Sequence, residues 1–142
     1  MAHTRSLLIG GLCAALVLSL LLGMRFLQTR KEEEVYLVYT ALFEVDAALA
    51  EGVCVGEALT DARGKGMAGE VLKVTRERAL REDAFGVYSL PDRVTLAVTV
   101  GGDGIKRAGQ TKIGTLIPRV GEAVYLLGRT RLEGICIRVR EL

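Results

Sequence analysis

Apolar and polar residues alternate along three stretches of this chain, at 35–45 (VYLVYTALFEV), 93–100 (RVTLAVTV) and 134–142 (GICIRVREL). A period of two, with many β-branched and aromatic residues, is typical of half-buried β-strands. Glycine and aspartate separate the alternating stretches, and "GGDG" at 101–104 is interpreted as a turn. The hydrophobic pattern therefore predicts an all-β domain with tight turns.

The tetrapeptide Val-Gly-Glu-Ala occurs twice, in 53–74 (VCVGEALTDARGKGMAGEVLKV) and, 65 residues later, in 118–139 (PRVGEAVYLLGRTRLEGICIRV). In each copy a second glycine follows the first by 13 residues; the pairs are Gly56 with Gly69 and Gly121 with Gly134. We expect these four turn glycines to occupy equivalent corners, each with a positive φ or a close backbone neighbour. Two such halves can close on each other as a small β-barrel or sandwich with pseudo-twofold symmetry, which removes sheet edges.

The same alignment assigns faces to the strand that follows the second glycine of each copy. The predicted inner residues are Leu72 and Val74 in the first copy and Ile135, Ile137 and Val139 in the second. The predicted outer residues are Lys73 in the first copy and Cys136, Arg138 and Arg140 in the second. This assignment assumes an uninterrupted alternation.

A different pattern occupies the N-terminus, where residues 6–24 carry no charge and Phe26 and Leu27 extend the apolar stretch. About 20 such residues cross a hydrocarbon core, so 6–27 is predicted to be a transmembrane anchor. A buried core helix would show a polar stripe, and a cleaved signal peptide would show small residues after the apolar segment. Leu12 before Cys13 also does not fit a lipoprotein signal.

The predicted organisation is a short tail at 1–5, the anchor, a charged linker at 28–34 and a β-domain at 35–142. The domain divides into halves at 35–75 and 93–142. The densely charged joint between them, 76–92, is expected to hold one short helix or a polar flap.

The charges flanking the anchor bear on its orientation. Arg5 precedes it, whereas Arg25, Arg30 and Lys31 follow. Counting Lys and Arg alone slightly favours a cytoplasmic C-terminal domain. That domain carries 15 of the 19 basic and 14 of the 17 acidic residues, a net charge of +1, which gives no indication of nucleic-acid binding.

The domain has few residues suited to catalysis or metal binding. Its single serine is Ser89, and the only histidine, His3, precedes the anchor. Cys54 and Cys136 lack a CxxC partner, and their pairing as a disulfide would suit an oxidising compartment. We therefore expect no catalytic, cofactor or metal site and no enzyme activity.

Two further motifs are interpreted as structural. "ARGKGMAG" at 62–69 lacks the spacing of a phosphate-binding loop and is expected to be a turn. Glu57 and Glu122 are matched by the repeat and could face each other as a carboxylate pair. Their position directly after a turn glycine is more typical of solvent-exposed residues.

The order of the features is an anchor, an extended strand, "VGEALTDARGKGMAGEVLKV", a charged joint, "LPDRVTLAVTV", "TKIGTLIPRVGEAVYL" and "EGICIRV". This order resembles an uncharacterised bacterial single-pass membrane family, domain of unknown function 4330, over most of the chain. The resemblance implies an extracytoplasmic domain, contrary to the charge count. It brings no catalytic residues, and glutamate stands at Glu57 and Glu122 where the family would have aspartate.

A more distant similarity is to the MCE (mammalian-cell-entry) lipid-transfer domain, carried by Arg63-Gly64 and Gly69-Glu70-Val71 after an N-terminal anchor. Two functions follow as expectations. The first is a membrane-anchored module of the cell envelope that binds or assembles protein partners, as a monomer or a homo-oligomer. The alternative is a subunit that transfers lipid or another hydrophobic ligand within a ring of copies.

Overall fold

The computed structural model describes residues 2–28 and 31–142. In chain order the elements are α1 Ala2–Gln28, β1 Glu33–Asp46, α2 Ala47–Ala50, β2 Ala58–Asp61, β3 Met67–Asp83, β4 Gly86–Arg107, β5 Gln110–Lys112, β6 Ala123–Leu127 and β7 Arg131–Glu141. The prediction of an all-β domain behind an N-terminal helix is confirmed.

Helix α1 contains the predicted anchor. Its segment Ile9–Leu27 has 19 residues with a mean hydropathy of 2.0, and none of it is buried against the rest of the chain. The helix is thus long and apolar enough to cross a membrane. It starts at Ala2, within the predicted tail, and ends at Gln28, the first residue of the predicted linker. Residue 1 and linker residues 29 and 30 lie outside the described part of the chain.

The strands form one antiparallel sheet that closes on itself. The hydrogen-bonded order is β1-β7-β6-β2-β3-β4, and β4 pairs again with β1. The short strand β5 adds to the end of β4 outside this ring. Closure leaves six strands around one apolar interior, so of the two predicted architectures the domain adopts the barrel.

The interior is filled by side chains from every strand of the ring. The largest fully buried residues include Leu37, Tyr39, Phe43, Leu59, Leu96, Leu126 and Leu132. The Tyr39 hydroxyl donates a hydrogen bond to the Ala68 carbonyl oxygen at 2.9 Å, and burial raises the pKa of this phenol. Tyrosine hydroxyls that are buried in a protein core usually have a hydrogen-bond partner.

The two copies of the repeat make the same backbone hydrogen bonds. In the first, Gly56 N donates to Val71 O, and Val71 N donates to Glu57 O. In the second, Gly121 N donates to Cys136 O, and Cys136 N donates to Glu122 O. The hydrogen bonds of the two copies are therefore equivalent, and the residue numbers of their donors and acceptors differ by the 65 residues of the sequence repeat.

The pseudo-twofold axis passes between Thr40 of β1 and Thr99 of β4. These two residues are paired, and their hydroxyl oxygens are 3.0 Å apart in a hydrogen bond. On the other side, Thr40 pairs with Arg138 and Thr99 pairs with Lys73, two positions that the repeat also matches. The exchange of β1 with β4, β2 with β6 and β3 with β7 thus maps the ring onto itself.

Matched β-bulges correct the predicted faces of β3 and β7. Pairing skips Leu72 on β3 and Ile137 on β7, so each strand carries one extra residue there. A bulge inserts one extra residue into the alternation of a strand. Residues before the bulge therefore point to the opposite face from the one predicted by continuing the alternation backwards from the residues after it. Leu72, Ile135 and Ile137, expected inside, are exposed, whereas Cys136, expected outside, is fully buried.

The structure bears on two further expectations about local structure. "GGDG" at 101–104 lies within β4 and pairs with β1, and so is not a turn. Its glycines allow close approach, since a Cβ on Gly102 would lie 3.2 Å from the Gly69 Cα. The joint at 76–92 contains no helix; β3 and β4 continue through it as a hairpin.

Candidate protein-binding arm

The end of the β3–β4 hairpin, residues 80–89, forms a distinct unit that we call the arm. Four residue pairs hold it together, from Leu80 with Ser89 to Asp83 with Gly86. The ladder is interrupted below the arm, where Ala79 alone stands opposite residues 90–93. This segment includes Pro91, which has no amide hydrogen to contribute to a ladder. The sequence Leu-Pro-Asp therefore separates the arm from the barrel.

The tip of the arm is a two-residue turn formed by Ala84 and Phe85. The Asp83 carboxylate accepts a hydrogen bond from Phe85 N at 2.8 Å, and Gly86 follows with a φ of 131°. Such turns depend on glycine and on the side chains of Asp or Asn, as they do here. Asp83 and Gly86 thus fix the backbone of the tip without any contribution from the Phe85 side chain.

The arm presents apolar side chains to solvent. Phe85 is 99% exposed. Leu80, Val87 and Tyr88 are also exposed, each by about half or more. Leu80 and Val87 lie on one face of the hairpin and Tyr88 on the other, so apolar side chains surround a tip where polar residues are the rule. Groups of exposed apolar residues of this kind mark sites of protein or membrane interaction.

Ion pairs attach the arm to the end of β1. Glu44 Oε1 lies 3.0 Å from Arg81 Nη2 of the arm and 3.3 Å from Arg93 Nε. Arg93 Nη1 lies 2.9 Å from Asp46 Oδ1, and this hydrogen bond raises the pKa of the Arg93 guanidinium. The groups are largely exposed, so they orient the arm more than they stabilise the fold.

The arm lies at the end of the barrel away from the anchor. β1 begins at Glu33, five residues after α1 ends, and runs to Asp46, which pairs with Arg93 next to the arm. The far end of β1 and the base of the arm are therefore at the same level. The arm therefore lies at the end of β1 opposite to the anchor.

The four turn glycines lie around the barrel and not in one site. Gly56 and Gly121 have almost equal φ angles, 87° and 86°. Gly69 has a φ of 121°, and a Cβ there would lie 2.8 Å from the Gly101 carbonyl oxygen. Gly134 has no positive φ, but a Cβ there would overlap the Leu42 carbonyl oxygen. Turn geometry accounts for the first pair and close packing for the second.

Glu57 and Glu122 have different partners. Glu57 Oε1 accepts a hydrogen bond from Arg129 N at 2.6 Å and so connects the first repeat turn to the β6–β7 turn. Glu122 Oε1 lies 3.5 Å from Arg119 Nη1 in its own turn. The repeat is therefore symmetric in its backbone but not in its carboxylates, each of which has a structural partner.

Asp61 organises the turn of the "ARGKGMAG" segment. Its carboxylate accepts hydrogen bonds from Thr115 Oγ1 at 2.6 Å, from Lys65 N at 2.9 Å and from Arg63 N at 3.1 Å. These bonds, led by the one from Thr115, lower the Asp61 pKa from 3.8 to about 2. The segment is built around a carboxylate and leaves no set of free amides for a phosphate.

The cysteines of the domain are free thiols. Cys54 is exposed, whereas Cys136 is buried, and burial raises the pKa of the Cys136 thiol. The two thiols are not joined in a disulfide, and Cys136 points into the core because the bulge at Ile137 follows it. Within residues 2–28 and 31–142 no group of three or more metal-binding side chains occurs.

Comparison with known proteins gives no match for this chain among family models, curated proteins or solved structures. The candidate site therefore rests on the geometry of the barrel and its arm. The sequence did not single out Phe85, although an aromatic residue directly before glycine in a charged hairpin was a visible signal.

Proposed function

We propose that this protein is a membrane-anchored module of the bacterial cell envelope that binds a protein partner through the tip of its arm. The observation that carries the proposal is the almost complete exposure of Phe85 at the end of a well-formed hairpin. An aromatic side chain buries roughly 150–250 Å² when it enters a pocket. Aromatic anchors of this kind dominate the energy of many protein interfaces.

The charge of the arm favours a protein partner over a lipid surface. Glu82 and Asp83 flank the tip, and neither has an ion pair among the described residues. Uncompensated carboxylates beside an apolar tip are unfavourable at an anionic membrane. A pocket with a basic rim matches both the apolar and the acidic character of the arm.

The test is site-specific photo-cross-linking of the full-length chain in cells. A benzophenone side chain in place of Phe85 should give a discrete protein adduct, whereas the same group in place of exposed Arg129 should not. A second probe at Tyr88 should give the same adduct, and Glu82→Arg should weaken it. Absence of an adduct from both arm positions would contradict the proposed function.

We further propose that the barrel and its arm lie outside the cytoplasm. The resemblance to the anchored envelope family supports this location, whereas the Lys and Arg count around the anchor opposes it. Two fusions after Leu142 test it, one reporter active only outside the cytoplasm and one active only inside. Activity of the second reporter alone would reverse the assignment.

Transfer of lipid or another hydrophobic ligand is the alternative function. It requires an apolar conduit, and the interior of this barrel is filled by side chains such as Tyr39 and Phe43. A conduit would therefore have to form between copies, as in a ring. Native mass spectrometry in mild detergent separates the two functions, since a ring with bound lipid would favour the alternative.

A further inference from the structure

The outside of the barrel carries a second exposed apolar surface, which we call the outer patch. Cross-strand pairing joins Ala123 of β6 to Ile135 of β7, and Ile135 to Leu42 of β1. The bulge residue Ile137 lies beside them. Ile135 is 53% exposed, Ile137 45% and Leu42 38%, so the patch is open to solvent.

The outer patch differs only in part from the equivalent surface of the other half, where exposed Leu72 matches Ile137 and Lys73 matches Arg138. The pseudo-twofold axis relates Ile135 to Glu70 and Leu42 to Gly101. The corresponding surface of the other half therefore has a charge and a glycine where the patch has two large apolar residues. Gly101 is explained by packing, because Leu72 and Tyr36 occupy the space where its Cβ would be. The remaining difference is that Glu70 would repel an acidic arm, whereas Ile135 would not, so the arm matches the patch better than the other half.

The charges beside the two apolar surfaces are complementary. Arg138 follows Ile137, is exposed and has no ion pair within the described ranges. Glu82 and Asp83 of the arm are acidic and likewise have no ion pair there. An arm placed on the outer patch of another molecule brings these opposite charges together, which would steer the encounter and fix its direction.

The outer patch lies near the base of the arm. Leu42 is four residues from the end of β1 at Asp46, and the arm begins beside that same end. An extended strand advances about 3.3 Å per residue, so four residues correspond to roughly 13 Å. Phe85 lies beyond the base, at the end of the arm, so the arm must incline towards the neighbouring copy to place Phe85 on its patch.

We propose that the partner of the arm is a second copy of this chain, and that its outer patch receives Phe85. This inference rests on the proposed function, since it names the occupant of the same arm. Arm and patch are different surfaces, so each contact between an arm and a patch is heterologous, that is, it joins two different surfaces of the two copies. Two copies that exchange arms form a closed dimer, and further copies extend the contact in the plane of the membrane.

Cross-linking between two tagged forms of the full-length chain tests the proposal. With the benzophenone group at position 85 of one form, we expect an adduct that contains both tags and maps to residues 135–138 of the other form. Ile135→Glu in the acceptor, which gives the patch the residue found at the equivalent Glu70, should abolish it. Glu70→Gln, at that equivalent position of the other half, is the control and should leave it unchanged.

Charge exchange gives an independent measurement on the same adduct. Glu82→Arg and Arg138→Glu should each weaken it when introduced in both forms, and their combination should restore it. An arm adduct with a different protein overturns the second-copy inference and leaves the proposed function standing. Absence of any arm adduct overturns both, while a dimer adduct insensitive to Ile135→Glu overturns the placement on the outer patch.

Discussion

At the scale of single residues, the repeat glycines fall into two physical classes. Gly56 and Gly121 have left-handed φ angles of 87° and 86° and open space around them. Gly69 and Gly134 instead lie against the backbone of a neighbouring strand. The first class is constrained by conformation alone and the second by contact, to which Gly69 adds a positive φ of 121°.

Alanine substitution should separate these classes. Gly56→Ala and Gly121→Ala should each lower the free energy of unfolding by a similar amount, about 1 kcal/mol, because alanine is strained at positive φ. Gly134→Ala should cost more, roughly 1–3 kcal/mol, because its Cβ overlaps the β1 backbone. Urea denaturation checks both values. Clearly unequal effects of Gly56→Ala and Gly121→Ala would show that the two turns are not energetically equivalent.

Asp61 should give the domain a specific response to acid. Its pKa is lowered in the folded protein from 3.8 to about 2. The carboxylate therefore contributes stability above about pH 4, and this contribution is lost as the pH falls towards 2. Thermal melts should show wild type above Asp61→Asn at pH 6, with the difference shrinking between pH 4 and pH 2. A difference independent of pH would contradict this.

Residue-level prediction from the sequence failed at the bulges for a physical reason. A bulge changes the phase of the alternation without any special residue, since Leu72 and Ile137 are ordinary strand formers. The positions of the turn glycines could be anticipated because positive φ selects glycine. Cys136 was assigned to the wrong face because the alternation was counted from Val139, which lies on the other side of the bulge.

At the scale of elements, the arm is structurally separated from the barrel. Its ladder is interrupted at residues 90–93, and its contact with β1 runs through exposed ion pairs. The charged sequence suggested a helix or a flap, because charge density does not distinguish a solvated helix from a solvated hairpin. The deciding signal was local, in the Asp83–Gly86 turn.

Replacement of the tip should therefore affect binding and leave folding intact. Phe85→Ser should change the free energy of unfolding by no more than about 0.5 kcal/mol, as is usual for an exposed position. Phe43→Ala, in the core, should cost about 3–5 kcal/mol. Thermal denaturation of both variants measures the contrast. A large loss of stability in Phe85→Ser would mean that the tip packs on its own barrel.

At the scale of the whole molecule, the fold class followed from the sequence because alternation and repeat both indicate strands. The order of strands around the ring did not follow, because pairing joins residues far apart in the chain, such as Asp61 with Leu126. The arm was likewise not predicted as a binding element, because exposure becomes known only once the barrel is closed.

The closed barrel should fold without the anchor. All core residues lie after Glu34, and α1 has no buried face in the described helix. Residues 31–142 should therefore give a far-ultraviolet circular dichroism spectrum of β type and a cooperative thermal transition. A spectrum dominated by helix, or the absence of a transition, would contradict an autonomous barrel.

The Thr40–Thr99 pair has a consequence for the ancestry of the chain. In a homodimer, a residue on the twofold axis can form a hydrogen bond with the same residue of the other subunit. Thr40 and Thr99, which the pseudo-twofold axis relates, have this arrangement within one chain. Each half supplies three strands, and the arm is the covalent connection between them, so the barrel has the plan of a duplicated and fused gene. Separate expression of residues 31–84 and 85–142 should reconstitute one complex on gel filtration, because every interface between the halves survives the cut. In that view the arm began as the link that joined two half-barrels.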